Sequence, residues 1–154
     1  MTLDVGQAAP DFELRDQHGQ AVSLSSFRGQ KAVLLVFYPF AFSRVCTEEL
    51  SEIRDNLPTL ASGDVEILAV SCDPMFTLRA FADQDGLEFP LLSDFWPHGA
   101  VSSAYDVFDG ERGCSARSTF VLDKDGILRW SVHNAMPDAR DLAEYSRVLA
   151  SFAA

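Results

Sequence analysis

Short runs of large apolar residues alternate along this chain with longer segments in which apolar positions recur every three or four residues. Val33-Leu-Leu-Val-Phe-Tyr38 and Val65-Glu-Ile-Leu-Ala-Val-Ser71 are apolar with little alternation, the pattern of strands covered on both faces of a parallel sheet. Between them Leu50, Ile53, Leu57 and Leu60 keep helical spacing, Glu48, Glu49, Glu52, Arg54 and Asp55 are free to face water, and Pro58 ends or kinks the helix. Further on, Ser118-Thr-Phe-Val-Leu-Asp123 and Ile127-Leu-Arg-Trp-Ser-Val132 flank an Asp125-Gly126 pair. Asp-Gly between two such runs predicts a hairpin, so the C-terminal half of the sheet is antiparallel. Asp16-Gln-His-Gly19 predicts a turn joining two more short strands. From Pro137 onward, Leu142, Tyr145, Val148, Leu149 and Phe152 mark a closing helix, with Asp138 and Asp141 at the positive end of its dipole.

A βαβ unit, a second crossover, a hairpin and a final helix follow one another in the order of a thioredoxin-like α/β fold, a central mixed sheet flanked by helices. With 154 residues and 47% apolar content the chain can bury one sizeable core, so a single domain over 1–154 is expected. Twenty-three Asp and Glu against 12 Lys and Arg give an acidic surface that repels phosphate backbones, which argues against a nucleic-acid partner. The apolar runs are too short to span a bilayer and Met-Thr-Leu-Asp is not a basic, export-type start, so no membrane association is expected. Cys46, Cys72 and Cys114 cannot all pair within one chain, which favours a reducing, cytoplasmic location. His18, His98 and His133 are scattered, so no metal is expected, and Gly110-Glu-Arg-Gly113 lacks the Lys and Ser/Thr of a phosphate loop. No cofactor is expected.

The chemistry centres on Cys46. The strand ending at Tyr38 runs into Pro39-Phe-Ala-Phe-Ser-Arg-Val-Cys46 and then the helix, which places the cysteine at the carboxyl end of a strand, where open α/β sheets bind ligands. With Ser43 capping the helix, Cys46 lies in its first turn, where free backbone N–H groups and the positive dipole end favour a thiolate. Most lone cysteines are small buried hydrophobes. The proline-led loop, the hydroxyl three positions earlier and the helix start together favour an activated thiolate instead. Ser43 stands where a dithiol exchange enzyme would carry the first cysteine of Cys-x-x-Cys, so disulfide cycling within that motif is excluded.

Pro39, Ser43 and Cys46 match the pattern Pro-x-x-x-Thr/Ser-x-x-Cys, Cys46-Thr-Glu-Glu49 continues it, and Arg117 precedes Ser118-Thr-Phe-Val-Leu-Asp123. In these residues the chain resembles the peroxiredoxins. The likeness runs from Ala9-Pro-Asp-Phe-Glu-Leu14 through Phe89-Pro-Leu-Leu-Ser-Asp94, and the stretch Leu92 to Val101 with Ala104-Tyr105 and Val107-Phe108 is similar to the AhpE-type one-cysteine branch of actinobacteria. Where that branch has Ala-Tyr-Gly-Val, this chain has Ala104-Tyr-Asp-Val107, which predicts an altered turn or strand start.

The resemblance implies a thiol-dependent peroxidase that reduces hydrogen peroxide and organic hydroperoxides through a Cys46 sulfenic acid. It implies that Arg117 stabilises the thiolate and the peroxide oxygens, although by itself Arg117 reads more readily as a surface ion-pair residue. Ser43 can orient the peroxide or simply cap the helix, and Pro39 can shield the sulfur or simply turn the chain. Glu49, one turn along, is placed to hold Arg117. Cys72 reads first as a small buried hydrophobe, although its place at the carboxyl end of the second strand makes a bridge to the sulfenic acid conceivable, and Cys114 likewise reads as packing. Resolution by an outside thiol or redoxin is what the one-cysteine likeness implies, a mycothiol and mycoredoxin-like pair if the host is actinobacterial. The same likeness implies a homodimer built on Pro39 to Arg44 and Trp96. Phe37, Phe40 and Phe42 near the site point to organic hydroperoxides. Phe95-Trp96-Pro97 reads as an exposed aromatic edge or as core. The rival readings are a non-enzymatic peroxide sensor or holdase using the same cysteine, and a thiol-disulfide reductase acting through Cys46 alone.

Overall fold

The computed structural model describes residues 3–56, 64–133 and 142–151. β1 (Glu13–Arg15) and β2 (Ala21–Ser23) pair antiparallel across the Asp16–Gly19 turn. There the Asp16 carboxylate accepts the N–H groups of His18 at 2.8 Å and Gln20 at 3.0 Å, and Gly19 takes φ 78°. The aspartate thus mimics a backbone turn, as its short side chain allows.

β3 (Ala32–Phe37) leads to α1 (Arg44–Asp55), and β4 (Val65–Ser71) returns parallel to β3, with Ala32 opposite Val65 and Phe37 opposite Val70. The second crossover is α2 (Met75–Asp85), closed by Gly86 in the left-handed conformation, then β5 (Leu91–Ser93). α3 (Ala100–Ala104) and the small β6 (Phe108–Asp109) and β7 (Cys114–Ser115) pair lead into β8 (Ser118–Leu122) and β9 (Leu128–His133), antiparallel about Asp125-Gly126. α4 (Leu142–Ala150) closes the described chain. The main sheet runs β2-β1-β5-β4-β3-β8-β9, mixed as expected. Leu57, Pro58, Leu60, Pro137, Asp138, Asp141 and Phe152, named above as helix markers, lie outside the described residues.

The pleat sorts the two central strands between two cores. Leu34, Val36, Tyr38, Ile67 and Ala69 pack with Cys46, Leu50 and Ile53 of α1, Leu78 and Phe81 of α2, and Tyr145 and Leu149 of α4. Val33, Leu35, Phe37, Leu68 and Val70 face the other way, against Phe12, Leu24, Tyr105 and Val107. Side chains alternate along a strand, so one register decides both faces. Each such Leu, Ile or Phe contributes about 1.5–3 kcal/mol through burial. Phe37 therefore does not flank the site as expected: its ring meets Tyr105 and Phe120 in the opposite layer. At Ala104-Tyr-Asp-Val107, Asp106 adopts φ 58°, a conformation that aspartate tolerates better than most non-glycine residues.

Candidate active site

The carboxyl ends of β3 and β4 open beside the start of α1, and the intervening loop is held in an unusual shape. Pro39 ends the β3 ladder because it has no N–H to donate. Phe42 sits at φ 68° and packs its ring against Phe81, with centroids 5.1 Å apart. A bulky residue at positive φ needs surrounding contacts to keep it there. The Ala41 N–H supplies one, donating to Asp73 Oδ2 at 2.8 Å.

Ser43 is the N-cap residue of α1, and its carbonyl accepts the Thr47 N–H at 2.8 Å. The expected side-chain cap is not made. The Phe40–Ser43 turn brings a nearer acceptor within reach, so the hydroxyl donates to the Phe40 carbonyl at 2.9 Å. That bond uses the hydroxyl proton and leaves oxygen lone pairs at the wall of a cavity of about 200 Å³ lined by Pro39, Phe40, Ser43, Arg44, Val45 and Arg117. Cys46, third in the helix, is buried at 1% exposure, in the turn whose amides precede the first helical hydrogen bond.

Arg117, immediately before β8, reaches across to this turn. Its Nη2 donates to Cys46 Sγ at 3.8 Å, and its Nη1 forms an ion pair with Glu49 Oε1. Both partners of that pair are buried, with 2% and 4% side-chain exposure, which rules out the surface reading of Arg117 and corrects the expectation that Glu49 faces water. A buried guanidinium needs a fixed counter-charge. Glu49 provides it one helical turn from Cys46, so the arginine is clamped between carboxylate and sulfur.

Cys72 does not join this group. It continues the face of β4 that carries Leu68 and Val70, opposite Cys46, and its Sγ lies 3.6 Å from Ser115 Oγ and 3.9 Å from Ser102 Oγ. The sheet thus lies between it and the Cys46 sulfur. Burial raises the Cys72 thiol pKa, and burial, with Asp109 next in weight, pushes Cys114 up to about 11. Phe40, Phe42, Phe95 and Trp96 are exposed at the surface, Trp96 to 83%, so the aromatic edge is real.

Two residues near the site were not singled out from sequence. Tyr38 places its hydroxyl beside Ser71, Asp73 and Cys46, buried, with its pKa raised chiefly by desolvation. Asp73 is tied to the Pro39–Ser43 loop through the Ala41 amide, as described. Asp73-Pro74 at the carboxyl end of β4 is a turn signal that could have pointed to it.

A family model described as the AhpC/TSA family matches residues 5–131. Alkyl hydroperoxide reductase E of Mycobacterium tuberculosis is 48% identical over 152 residues, spanning 99% of each chain. A chloroplastic 2-cysteine peroxiredoxin of Chattonella marina var. antiqua is 34% identical over 159 residues, spanning 97% of this chain and 80% of that one. Among solved structures, the peroxidoxin BcpB from Mycobacterium tuberculosis superposes with a TM-score of 0.88 at 29% identity over 99% of both chains. Reduced 2-Cys peroxiredoxin of Plasmodium vivax gives 0.86 at 29% identity over 95% of this chain and 80% of that one.

Proposed function

The chain belongs to the AhpC/TSA family of peroxiredoxins and is a thiol-dependent peroxidase, and on that premise we propose that Cys46 is the thiol that attacks peroxide. The carrying observation is the buried Arg117, held by Glu49 and donating to Cys46 Sγ at 3.8 Å. The thiolate attacks the terminal oxygen of ROOH, the one that carries hydrogen, forming an S–O bond while the O–O bond breaks. The sulfur is oxidised to sulfenic acid, and RO⁻ leaves and takes a proton from solvent to become the alcohol, or water when R is hydrogen. Negative charge grows on the departing oxygen, and the clamped guanidinium is already oriented to receive it. Ser43, its proton committed to Phe40, accepts the peroxide O–H and sets its approach. Pro39 adds an apolar wall without a competing N–H.

Recycling runs through an outside thiol. Cys72 lies on the other face of the sheet, and Cys114 is a buried thiol pushed up to about 11, too little ionised at neutral pH to attack well. The outside thiol condenses with the sulfenic acid to a mixed disulfide and water, and a second thiol releases Cys46. The mycobacterial source of that relative fits an actinobacterial setting, for which the one-cysteine likeness implies a mycothiol and mycoredoxin-like reductant. The relative's name, alkyl hydroperoxide reductase, and the exposed Phe40 and Phe42 support organic hydroperoxides as substrates alongside hydrogen peroxide. Exposed Phe40, Phe42, Phe95 and Trp96 support a homodimer, three free cysteines support the cytoplasm, and residues 1–154 act as one domain. Turnover tests the reading. Many equivalents of peroxide consumed per chain with a small thiol as reductant, abolished by Cys46→Ser, supports it; oxidation that stops after one equivalent whatever thiol or redoxin is added supports a sensor.

A further inference from the structure

Asp73 belongs to none of the roles above, yet it is the residue on β4's side of the crevice that grips the catalytic loop by its backbone. Its Oδ2 accepts the Ala41 N–H at 2.8 Å and the Ser71 hydroxyl at 2.7 Å. Its own carbonyl accepts the Ser93 hydroxyl at 2.6 Å, which ties the residue to β5. The residue is thus anchored to two strands of the sheet, through its carboxylate to Ser71 and its carbonyl to Ser93, and its carboxylate extends to one amide of the loop.

Ala41 lies between Phe40, which lines the cavity, and Phe42, held at φ 68°. A loop carrying a strained residue keeps its shape only when other contacts over-determine it. A hydrogen bond to an ionised acceptor is about twice as strong as a neutral one. Burial raises the Asp73 pKa, while the bonds from Ala41 and Ser71 and the neighbouring His98 act against that rise. Tyr38 and Cys72 are its other titratable neighbours.

We propose that Asp73 is a positioning residue of the peroxidase: by accepting the Ala41 N–H it holds Pro39, Phe40 and Ser43 closed around the cavity over Cys46. The proposal rests on Cys46 being the reacting thiol. Small peroxides enter the closed cavity and need its geometry. A bulkier reagent must reach a sulfur that is 1% exposed, and so gains when the loop loosens.

The test compares wild type, Asp73→Ala and Asp73→Asn in two separate half-reactions. Stopped-flow oxidation by hydrogen peroxide measures the first; trapping of preformed Cys46 sulfenic acid by dimedone measures the second. Asp73→Ala is expected to slow peroxide oxidation at least tenfold while trapping is unchanged or faster. Asp73→Asn keeps an oxygen where Oδ2 stands, and is expected to recover most of the lost rate. Loss of both half-reactions together, an Asn variant as impaired as Ala, or an Ala variant within threefold of wild type each overturns the proposal. Should Asp73→Ala not fold, hydrogen exchange of the Ala41 amide in the wild-type protein decides. Protection well above that of an unstructured loop agrees, and exchange at the unstructured rate overturns it. Failure of wild-type Cys46 to react with peroxide would instead sink the underlying reading and leave the Ala41 exchange result standing.

Discussion

Replacing Arg117 by methionine removes a charge from a place where two other groups depend on it. At the observed 3.8 Å from Cys46 Sγ, a unit positive charge attracts a thiolate by about 4 kcal/mol at an effective dielectric of about 20. Since about 1.36 kcal/mol is tenfold in rate, loss of all of it would slow peroxide attack roughly a thousandfold. Removal of one preorganised donor to a developing oxyanion typically costs about 10²–10³, so the expected loss lies in that range. The same change leaves the Glu49 carboxylate buried without its partner at 4% exposure. Orphaning one member of a buried pair costs about 3–5 kcal/mol, which for a chain of this length lowers Tm by roughly 6–20 °C. The two losses separate in the double variant Arg117→Met with Glu49→Leu. Replacing both charges by apolar groups should return most of the Tm but none of the rate. Stopped-flow oxidation and thermal melts of wild type, single and double variants make the comparison. A single variant that reacts within threefold of wild type, or a double variant that regains the rate with the stability, would refute the reasoning.

Other expectations follow from individual contacts. Ser43→Ala should slow peroxide oxidation about tenfold with a stability loss of only about 0.5–1.5 kcal/mol, while Ser43→Thr keeps the hydroxyl and the rate; equal rates for all three would remove Ser43 from the chemistry. The Cys114 thiol ionises from about pH 9 in the unfolded chain but only near 11 when folded. The unfolded state therefore releases its proton first, and the stabilisation is whole below pH 9 and fades as pH rises to 11. Denaturant titrations across that range should show a fall that is shallower in Cys114→Ser, and identical slopes would contradict it. Trp96→Glu places a charge on an aromatic residue that is 83% exposed; light scattering should show the proposed dimer giving way to monomer, and an unchanged mass would move the interface elsewhere.

What could be read from sequence was local. Continuous apolar runs gave β3 and β4, Asp125-Gly126 gave the hairpin, and a proline-led loop before a helical pattern put Cys46 in the first turn of α1. Each of these depends on neighbours within a few residues. The burial of Glu49 was not legible, because helical spacing alone places it among solvent-facing charges; the ion pair with Arg117, which arrives from just before β8, helps make an inward carboxylate tenable. The side of the sheet on which Phe37 and Cys72 lie was not legible for a related reason. Residues near each other in sequence or at the same strand end still point to opposite sides of a pleated sheet, and the register that settles their side comes from pairing. The Ser43 hydroxyl went to Phe40 rather than to a helix amide because the loop's turn, held through Ala41 and Asp73, supplied a nearer acceptor.

The central claim is that Cys46 alone carries the chemistry, and its most direct test is peptide-level mass analysis after reduced protein meets one equivalent of peroxide. Rapid addition of one oxygen at Cys46 is expected, far faster than for free cysteine, with Cys72 and Cys114 still thiols and no reaction in Cys46→Ser. Equally rapid thiol loss in Cys46→Ser, or a disulfide joining Cys46 to Cys72 or Cys114, would contradict it.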